Sequence, residues 1–301
     1  MVEPAASAAS AALCAAHWRN FIYRSTARHW HALWCRWGPD GSLRTAFTAE
    51  RCFTPAADGC DMQVTYHYRD ERGTVREGPA CGPWRITEGA HSQPDGLQHP
   101  SSAEMTTLLL PAGGPSAWCA KQAGPGKPCA TELFLHHGEH LRMSAGVIHA
   151  ADGSLVQLAL IREDARGPWP SSGWGDSESA APSSGAALAA ALARDGAATE
   201  AHGVGHAITA DLQQRPLSGD WSATRIATAS PTDDVLLLCE DRVAIVAPVR
   251  RPDGVPFSSA AAWWPQDGGG ALYTIEACWD ATGAVSEVRY LVFSATPEGQ
   301  A

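Results

Sequence analysis

Hydrophobic and polar residues alternate with a period of two through much of the chain. In DMQVTYHY, Met62, Val64, Tyr66 and Tyr68 fall on one face and the residues between them are polar. The stretch SLVQLALIRE repeats the pattern further along. This alternation predicts half-buried β-strands, and turn-forming stretches such as GPDG and DERG separate one run from the next. We therefore predict about eight antiparallel strands in the first half of the chain, with no strong helix among them.

The same signals divide the chain into four segments. Residues 1–27 are rich in Ala and Ser, which predicts a helix beside the first domain or, alternatively, a targeting segment. The strand pattern fills residues 28–163. Residues 164–216 combine Pro, Gly and Ser with a short predicted helix that ends at Gly196, and we interpret them as a linker. A second strand-rich region covers residues 217–301.

The two strand-rich regions resemble each other at both ends. Each opens on a strand with a tryptophan, HWHALW and GDWSATRI, and each closes on a hairpin whose turn contains a glycine. Since a half-buried sheet hides its edges by closing on itself, we predict a mainly β fold: two tandem antiparallel barrels, the second shortened and incomplete, with an N-terminal helix. Trp30 is expected to point inward with the guanidinium of Arg162 stacked on it, and Trp221 is its counterpart in the second barrel.

A tryptophan on the first strand, preferably in Gly-x-Trp, with an arginine on the last strand resembles the framework of the lipocalin-like, or calycin, barrels. The stretches NFIYRSTARHWHALWCRWGPDGSL, ELFLHHGEHLRMSAGVIHAADGSLVQLALIRE, LSGDWSATR and ACWDATGAVSEVRYLVF are similar to a two-domain calycin family of cyanobacterial and algal proteins, the domain of unknown function 3598 (DUF3598) family. The resemblance implies tandem lipocalin-like domains and a distant similarity to the bilin lyase calycins. Two positions depart from the pattern: Arg28 replaces the glycine of Gly-x-Trp, and Val292 stands where the second closing arginine would fall.

The predicted inner faces and the resemblance together supply the candidate ligand-binding residues. The inner faces give Trp34, Val64, Tyr66, Tyr68 and Trp118, and the resemblance adds Glu132 and Arg142, whose face the alternation leaves open. A barrel of this size either fills itself with side chains or holds one small apolar ligand, and inward tyrosine hydroxyls need polar partners. The resemblance places Glu132 and Arg142 in a Glu…Arg pattern that lies near the ligand cavity of the bilin lyase calycins. The two could hold a polar ligand group such as a propionate, or simply form a salt bridge with each other.

His29 and His31 lie two positions apart on the predicted first strand, so their side chains share a face and could begin a metal site. Within that strand, only Cys35 offers a further ligand on the same face. Because Trp30 is predicted to point inward, both histidines are expected to face solvent or the N-terminal helix. We therefore predict no metal ion and no other cofactor, and we assign no catalytic residue.

The chain carries 22 Lys and Arg against 32 Asp and Glu, a formal net charge of −10. This balance, without a basic cluster interleaved with aromatic residues, argues against nucleic acid as a partner. The nine cysteines contain no C-x-x-C pair, which excludes a zinc knuckle and favours a reducing, intracellular compartment, the cytoplasm or the chloroplast stroma. No run of about 18 apolar residues occurs, so no transmembrane helix is predicted.

Three functions are compatible with this fold. The first is a non-catalytic binding protein whose first barrel holds a small hydrophobic ligand, which the resemblance suggests is a tetrapyrrole or a carotenoid. The second is an enzyme on the same scaffold, a chromophore lyase or an isomerase or cyclase of an apolar substrate, with Glu132 or an inward tyrosine as acid or base. The third is an interaction module with filled barrels and an unidentified protein partner. We favour the first.

Overall fold

The structure, a computed structural model, consists of two antiparallel β-sheets and three helices in the part of the chain that it describes. The described residues are 3–25, 28–69, 75–110, 114–169, 174, 177–197, 200–222 and 234–294. The side chains of two predicted residues, Tyr68 and Trp221, lie outside this description. No helix among the described residues is long and apolar enough to span a membrane.

Eleven strands form the first sheet, which we call the first barrel. They are β1 (His29–Trp37), β2 (Leu43–Ala56), β3 (Gly59–Arg69), β4 (Val75–Thr87), β5 (Ser92–Gln93), β6 (Gly96–His99), β7 (Ser102–Leu109), β8 (Ser116–Ala120), β9 (Cys129–His137), β10 (Leu141–His149) and β11 (Leu155–Asp164). They lie in the order β4-β3-β2-β1-β11-β10-β9-β8-β7-β6-β5. The one-turn helix α2 (Glu88–His91) joins the edge strands β4 and β5, so the sheet curls into a nearly closed barrel.

Eight strands of the described residues form the second sheet. They are β12 (Ala180–Ser183), β13 (Glu200–Thr209), β14 (Gln214–Ser222), β15 (Asp234–Cys239), β16 (Val243–Pro248), β17 (Phe257–Trp263), β18 (Leu272–Trp279) and β19 (Val285–Phe293), in the order β12-β15-β16-β17-β18-β19-β13-β14. Helix α3 (Gly185–Arg194) packs on this sheet through Leu188 and Leu192. The predicted fold class, tandem antiparallel barrel-like sheets of which the second is smaller, is confirmed.

From Ala32 onward, strand β1 is covered on both of its faces, whereas His29 at its start is exposed. Ala32 and Trp34 point into the first barrel, where they pack with Phe47; we call this side the inner face. Cys35 and Trp37 lie on the opposite, outer face and are fully buried as well. Their cover is the second sheet, because both belong to one hydrophobic core that includes residues of both sheets. A strand that is covered on both sides loses the simple alternation that reports which side faces the interior.

The core between the two sheets is large and almost entirely apolar. The first barrel contributes side chains such as Leu133, Met143 and Leu160, and the second sheet contributes Trp263 and Trp279, all 0–1% exposed. Polar contacts cross the same boundary: the indole N–H of Trp279 donates to the carbonyl of Ala120 at 3.0 Å. The two sheets therefore pack face to face through their outer faces.

Helix α1 (Glu3–Ser25) covers one end of the first barrel. Trp18 and Phe21 pack in one cluster with Trp30 from the inner face of β1. His17 is 1% exposed, and its Nε2 accepts a hydrogen bond from the backbone N–H of Leu109 at 2.9 Å. Burial lowers the pKa of His17 to about 4, so this histidine is neutral in the folded protein at neutral pH.

The free energy of unfolding is expected to fall as the pH drops from about 6.5 towards 4 because of His17. Its folded pKa of about 4 lies below the ordinary value of 6.5, so in this window the unfolded chain binds a proton that the folded protein does not. Between pH 7 and pH 5 the loss that this one group causes is about 2 kcal/mol. Urea unfolding at the two pH values measures the total loss.

The matched control is His17→Gln, which keeps a side-chain acceptor for the N–H of Leu109 but does not titrate. Other buried histidines titrate in both proteins, so the comparison isolates His17. The variant should lose about 2 kcal/mol less than the wild-type protein between pH 7 and pH 5. Equal losses in the two proteins would mean that His17 does not cause the pH dependence.

The predicted linker is not structureless. Strands β12 and β13 both lie between residues 164 and 216, and both belong to the second sheet. Moreover, β13 pairs with the last strand, β19, whereas β14, which carries Trp221, is an edge strand that pairs with β13 among the described residues. The strand equivalent to HWHALW is therefore HGVGHA in β13 rather than GDWSATRI, and the sequence comparison placed the start of the second unit too late.

The expectation that Arg162 stacks on Trp30 is wrong. Arg162 lies on the outer face of β11, fully buried, and its Nε is 2.5 Å from the carboxylate of Asp241 in the turn after β15. The guanidinium over Trp30 belongs to Arg142, with its Cζ 4.4 Å from the ring centroid. The prediction took the apolar face of β11, which carries Leu158, Leu160 and Arg162, for the inner face. That face is apolar because the second sheet covers it.

Candidate ligand site in the first barrel

Charged side chains from four strands meet on the inner face of the first barrel. Arg51 lies on β2, Glu132 on β9, Arg142 on β10 and Glu163 on β11. The strand register brings them together, since Arg142 stands directly opposite Glu163 and Arg51 directly opposite Trp30. The arginines are 5–6% exposed and Glu163 is 0% exposed. Charges buried this deeply are costly without partners, so their pairing determines what the site can do.

Arg142 and Glu163 form a complete ion pair. Nε of Arg142 donates to Oε2 of Glu163 at 2.5 Å and Nη2 donates to Oε1 at 2.7 Å, the bidentate geometry in which a guanidinium binds a carboxylate most strongly. Burial by itself raises the pKa of Glu163, but Arg142 and Arg51 more than offset this and the pKa lies below its ordinary value. Glu163 is therefore ionised, and the pair is internally satisfied.

Arg51 has weaker partners. Its Nη2 lies 3.4 Å from Oε1 of Glu132, and its Nε lies 3.7 Å from Oε1 of Glu163. A guanidinium has five N–H donors, and these two long contacts are the polar contacts described for Arg51 in the structure. Arg51 therefore keeps donors for a further acceptor, and it lacks the short bidentate carboxylate that Arg142 has in Glu163.

Aromatic rings surround the Arg51 guanidinium. Its Cζ lies 5.9 Å from the ring centroids of Trp34 and Trp118 and 5.8 Å from that of Phe134. Both tryptophans are only partly buried. This arrangement places a cation among ring faces, where cation–π attraction compensates part of its lost hydration.

A second group of rings extends the apolar wall. Trp34 stacks on Phe47 with 5.5 Å between the ring centroids, and the ring of Tyr66 meets both at an edge. Val64 belongs to the same cluster and is buried. Burial raises the pKa of Tyr66, so its hydroxyl keeps its proton and can donate a hydrogen bond.

Glu132 is the most accessible carboxylate of the network. Its side chain is 18% exposed, and its Oε1 accepts a hydrogen bond from the hydroxyl of Ser144 at 2.7 Å. One alternative from the sequence was a salt bridge between Glu132 and Arg142, and the structure does not contain it. Glu132 contacts Arg51 and Ser144, whereas Arg142 contacts Glu163.

The structure brings most of the predicted residues together. Those placed on the inner face are Trp34, Val64, Tyr66, Trp118, Glu132 and Arg142, whereas the side chain of Tyr68 lies outside the described part of the chain. The sequence analysis missed Arg51, Phe134, Ser144 and Glu163. One signal for Arg51 was present: it interrupts the inward row Phe47, Ala49, Arg51 and Phe53 of β2, which is otherwise apolar.

A cleft in the second sheet is less suited to a ligand. It lies between β14, β18 and β19, encloses about 290 Å³ and is lined in part by Arg215, Glu276 and Arg289. These charges already pair on the protein surface, Arg215 with Glu287 at 2.7 Å and Arg289 with Glu276 at 3.3 Å. The cleft therefore offers a polar surface whose main charges are satisfied.

Comparison with known proteins gives one family and one similar fold. The family model described as domain of unknown function (DUF3598), N-terminal, matches residues 15–168, just over half of the chain, and no curated protein matches. A crystal structure of a DUF3598 protein of unknown function from Nostoc punctiforme PCC 73102 has a TM-score of 0.58 at 15% identity, over 93% of this chain and 99% of that chain. The S-type phycobiliprotein lyase CPES from Guillardia theta gives a TM-score of 0.29 at 13% identity, over 50% of this chain and 92% of that chain. The residues matched by the family model include Arg51, Glu132, Arg142 and Glu163 of the inner-face charge network.

Proposed function

The chain belongs to the DUF3598 family, whose description assigns no activity, and we propose that it is a non-catalytic binding protein whose first barrel holds a small hydrophobic ligand bearing a carboxylate. Arg51 carries this proposal. It is a buried cation with two long polar contacts and spare donors, and a ligand carboxylate would supply the bidentate partner that Arg142 already has.

The surroundings of Arg51 support an apolar body for the ligand. Trp34, Trp118 and Phe134 present rings around the guanidinium, and small-molecule sites are typically apolar walls with a few polar groups that fix orientation. Of the two ligand classes considered, a tetrapyrrole has propionates for Arg51 and a planar body for the rings. A hydrocarbon carotenoid has no acceptor for Arg51 and fits the site less well.

Biliverdin is expected to bind the protein more tightly than its dimethyl ester, in which the propionates cannot form an ion pair. Quenching of the tryptophan fluorescence reports the binding of both. Hydrogen bonds to a charged group contribute about 1.5–3 kcal/mol, so Arg51→Met should weaken biliverdin binding about 10- to 100-fold. The same variant should bind the ester almost as the wild-type protein does. The measurement is a fluorescence titration with both pigments and with β-carotene.

The control variant is Arg85→Gln, which removes a guanidinium that pairs with Asp58 and Asp61 on an exposed surface. Its affinity for biliverdin should equal that of the wild-type protein. If biliverdin and its dimethyl ester bind equally well, or if neither quenches the tryptophans, the proposed role of Arg51 is refuted. Absence of all quenching would instead favour the interaction module with a filled barrel.

An enzyme on the same scaffold is the second candidate because Glu132 is a carboxylate of the inner network that solvent still reaches. A general acid or base must exchange its proton in this way. Glu132→Gln separates the two functions. If the wild-type protein converts a bound tetrapyrrole and the variant binds it without converting it, the enzyme is favoured. If the spectrum of the pigment bound to the wild-type protein stays constant, the binding protein is favoured.

A further inference from the structure

A cluster of metal-ligating side chains lies on the outer face of the first barrel, across β1, β2 and β3. His29 stands opposite Cys52 and His31 opposite Glu50 in the register of β1 and β2, and His67 lies on the same face of β3, opposite Thr48. We call these five residues, His29, His31, Glu50, Cys52 and His67, the outer cluster. The single strand HWHALW lacked a third ligand, and the neighbouring strands supply it.

The donor atoms of the outer cluster converge on one carboxylate. Nε2 of His29 lies 3.1 Å from Oε2 of Glu50. Nδ1 of His31 and Nε2 of His67 lie 3.6 Å and 3.9 Å from Oε1 of the same residue. The donor atoms of His29, Glu50 and Cys52 all lie within 4.8 Å of one another. His29, Glu50 and Cys52 thus form the compact part of the cluster, and His31 and His67 approach it from the side of Oε1 of Glu50.

Hydrogen bonding among these residues accounts for only part of this arrangement. The contact of His29 with Glu50 is a hydrogen bond, but the contacts of His31 and His67 at 3.6 Å and 3.9 Å are too long to be hydrogen bonds. Nε2 of His67 is buried without a hydrogen-bond partner. By contrast, two ligands about 2.1 Å from a tetrahedral zinc ion are separated by about 3.4 Å, which lies within the range of separations in the cluster.

We propose that the outer cluster binds a divalent transition-metal cation of the zinc class, with His29, Glu50 and Cys52 as ligands and a fourth ligand from His31 or His67. Imidazole nitrogen, thiolate sulfur and carboxylate oxygen are the ligands that Zn²⁺ takes in proteins. The side chains of His29 and Glu50 are 47% and 37% exposed, so the site is open to solvent on one side. It lies on the opposite face of the sheet from Arg51 and is independent of the proposed ligand.

The test is a Zn²⁺ titration of chelator-treated, untagged protein by calorimetry, with bound zinc counted by elemental analysis. We expect one Zn²⁺ per chain in a single tight class. Because even outer-shell changes weaken metal sites about 10- to 100-fold, His29→Ala combined with His31→Ala should weaken binding at least that much. Glu50→Gln, which preserves the shape of the side chain, should weaken it similarly and guards against misfolding of the histidine variant.

His202→Ala is the matched control, since His202 also pairs with a carboxylate on the surface, that of Asp220 at 2.9 Å, but outside the cluster. It should bind Zn²⁺ as the wild-type protein does. Co²⁺ should give a thiolate charge-transfer band in the near ultraviolet that Cys52→Ser abolishes. Absence of zinc binding, wild-type affinity in the Glu50→Gln variant, or a cobalt band that survives Cys52→Ser would each overturn the proposal.

Discussion

Replacing Trp30 with alanine is expected to lower the free energy of unfolding by about 3–5 kcal/mol. The indole is 1% exposed and packs between Phe21 of the N-terminal helix and the inner face of the barrel. The guanidinium of Arg142 lies over the ring at 4.4 Å from its centroid. The substitution therefore leaves a cavity and also removes the aromatic surface that faces a buried cation. Equilibrium urea unfolding, followed by circular dichroism, measures the change.

Trp30→Phe distinguishes the packing of the ring from a hydrogen bond. The indole N–H of Trp30 is buried without a hydrogen-bond partner among the described residues, so phenylalanine loses no such bond and keeps a ring beneath Arg142. Its loss should be well below that of alanine. A Trp30→Ala protein that unfolds at the wild-type urea concentration would show that packing of this ring does not stabilise the first barrel.

Glu163→Gln is expected to lower the free energy of unfolding by a similar amount, about 3–5 kcal/mol, because it leaves buried cations without their carboxylate. Glu163 is fully buried; it forms two short hydrogen bonds with Arg142 and lies 3.7 Å from Arg51. The amide preserves the volume of the side chain, so the effect is electrostatic. The measurement is again urea unfolding at pH 7, compared with Asp58→Asn on the exposed partner of Arg85, which should leave the free energy of unfolding nearly unchanged.

The pH dependence of the Glu163→Gln difference has a definite sign. The pKa of Glu163 is lowered in the folded protein, so its stabilising contribution is complete above the ordinary glutamate pKa of about 4.3 and is lost as the pH falls through the lower folded value. The difference in the free energy of unfolding between the wild-type protein and the Glu163→Gln variant should be constant between pH 5 and pH 8. It should become smaller only at more acidic pH. A difference that narrows already near pH 6 would contradict this role.

Sequence periodicity predicted strands most reliably where one face is buried and the other is wet. In β3, Met62 and Val64 alternate with the exposed Gln63, and the inner face follows directly from the letters. In β11 both faces are apolar, so the alternation did not reveal that Arg162 points out and Glu163 points in. The phase of a strand that is covered on both sides depends on a second sheet that local sequence does not report.

Strand β13 was missed for a different reason. Its sequence, HGVGHA, contains two glycines, which weaken a strand and do not suggest one. The structure explains Gly205: a Cβ there would lie 1.9 Å from the carbonyl oxygen of Tyr290 on the neighbouring strand. Glycine is required at this position because the two backbones approach each other closely, and not because it favours a strand.

The candidate site shows the same limit. Periodicity placed Val64 and Tyr66 on an inner face, and the family resemblance pointed to Glu132, but neither says which residue stands across from another. Arg51 is 81 positions from Glu132 along the chain, and Cys52 joins His29 only through the pairing of β1 with β2. Both clusters arise from register between strands, which no local pattern encodes.

Because the two sheets share one core, the segment that the family model matches does not form a complete folding unit by itself. The segment that the family model matches ends at residue 168, yet the outer face of its barrel, with Trp37, Leu133 and Leu160, is covered by residues that follow it. Although the family model matches the first barrel by itself, this barrel on its own would expose a continuous apolar surface to water. A relative that had lost the second sheet would need either polar residues on this wall or a second subunit to cover it.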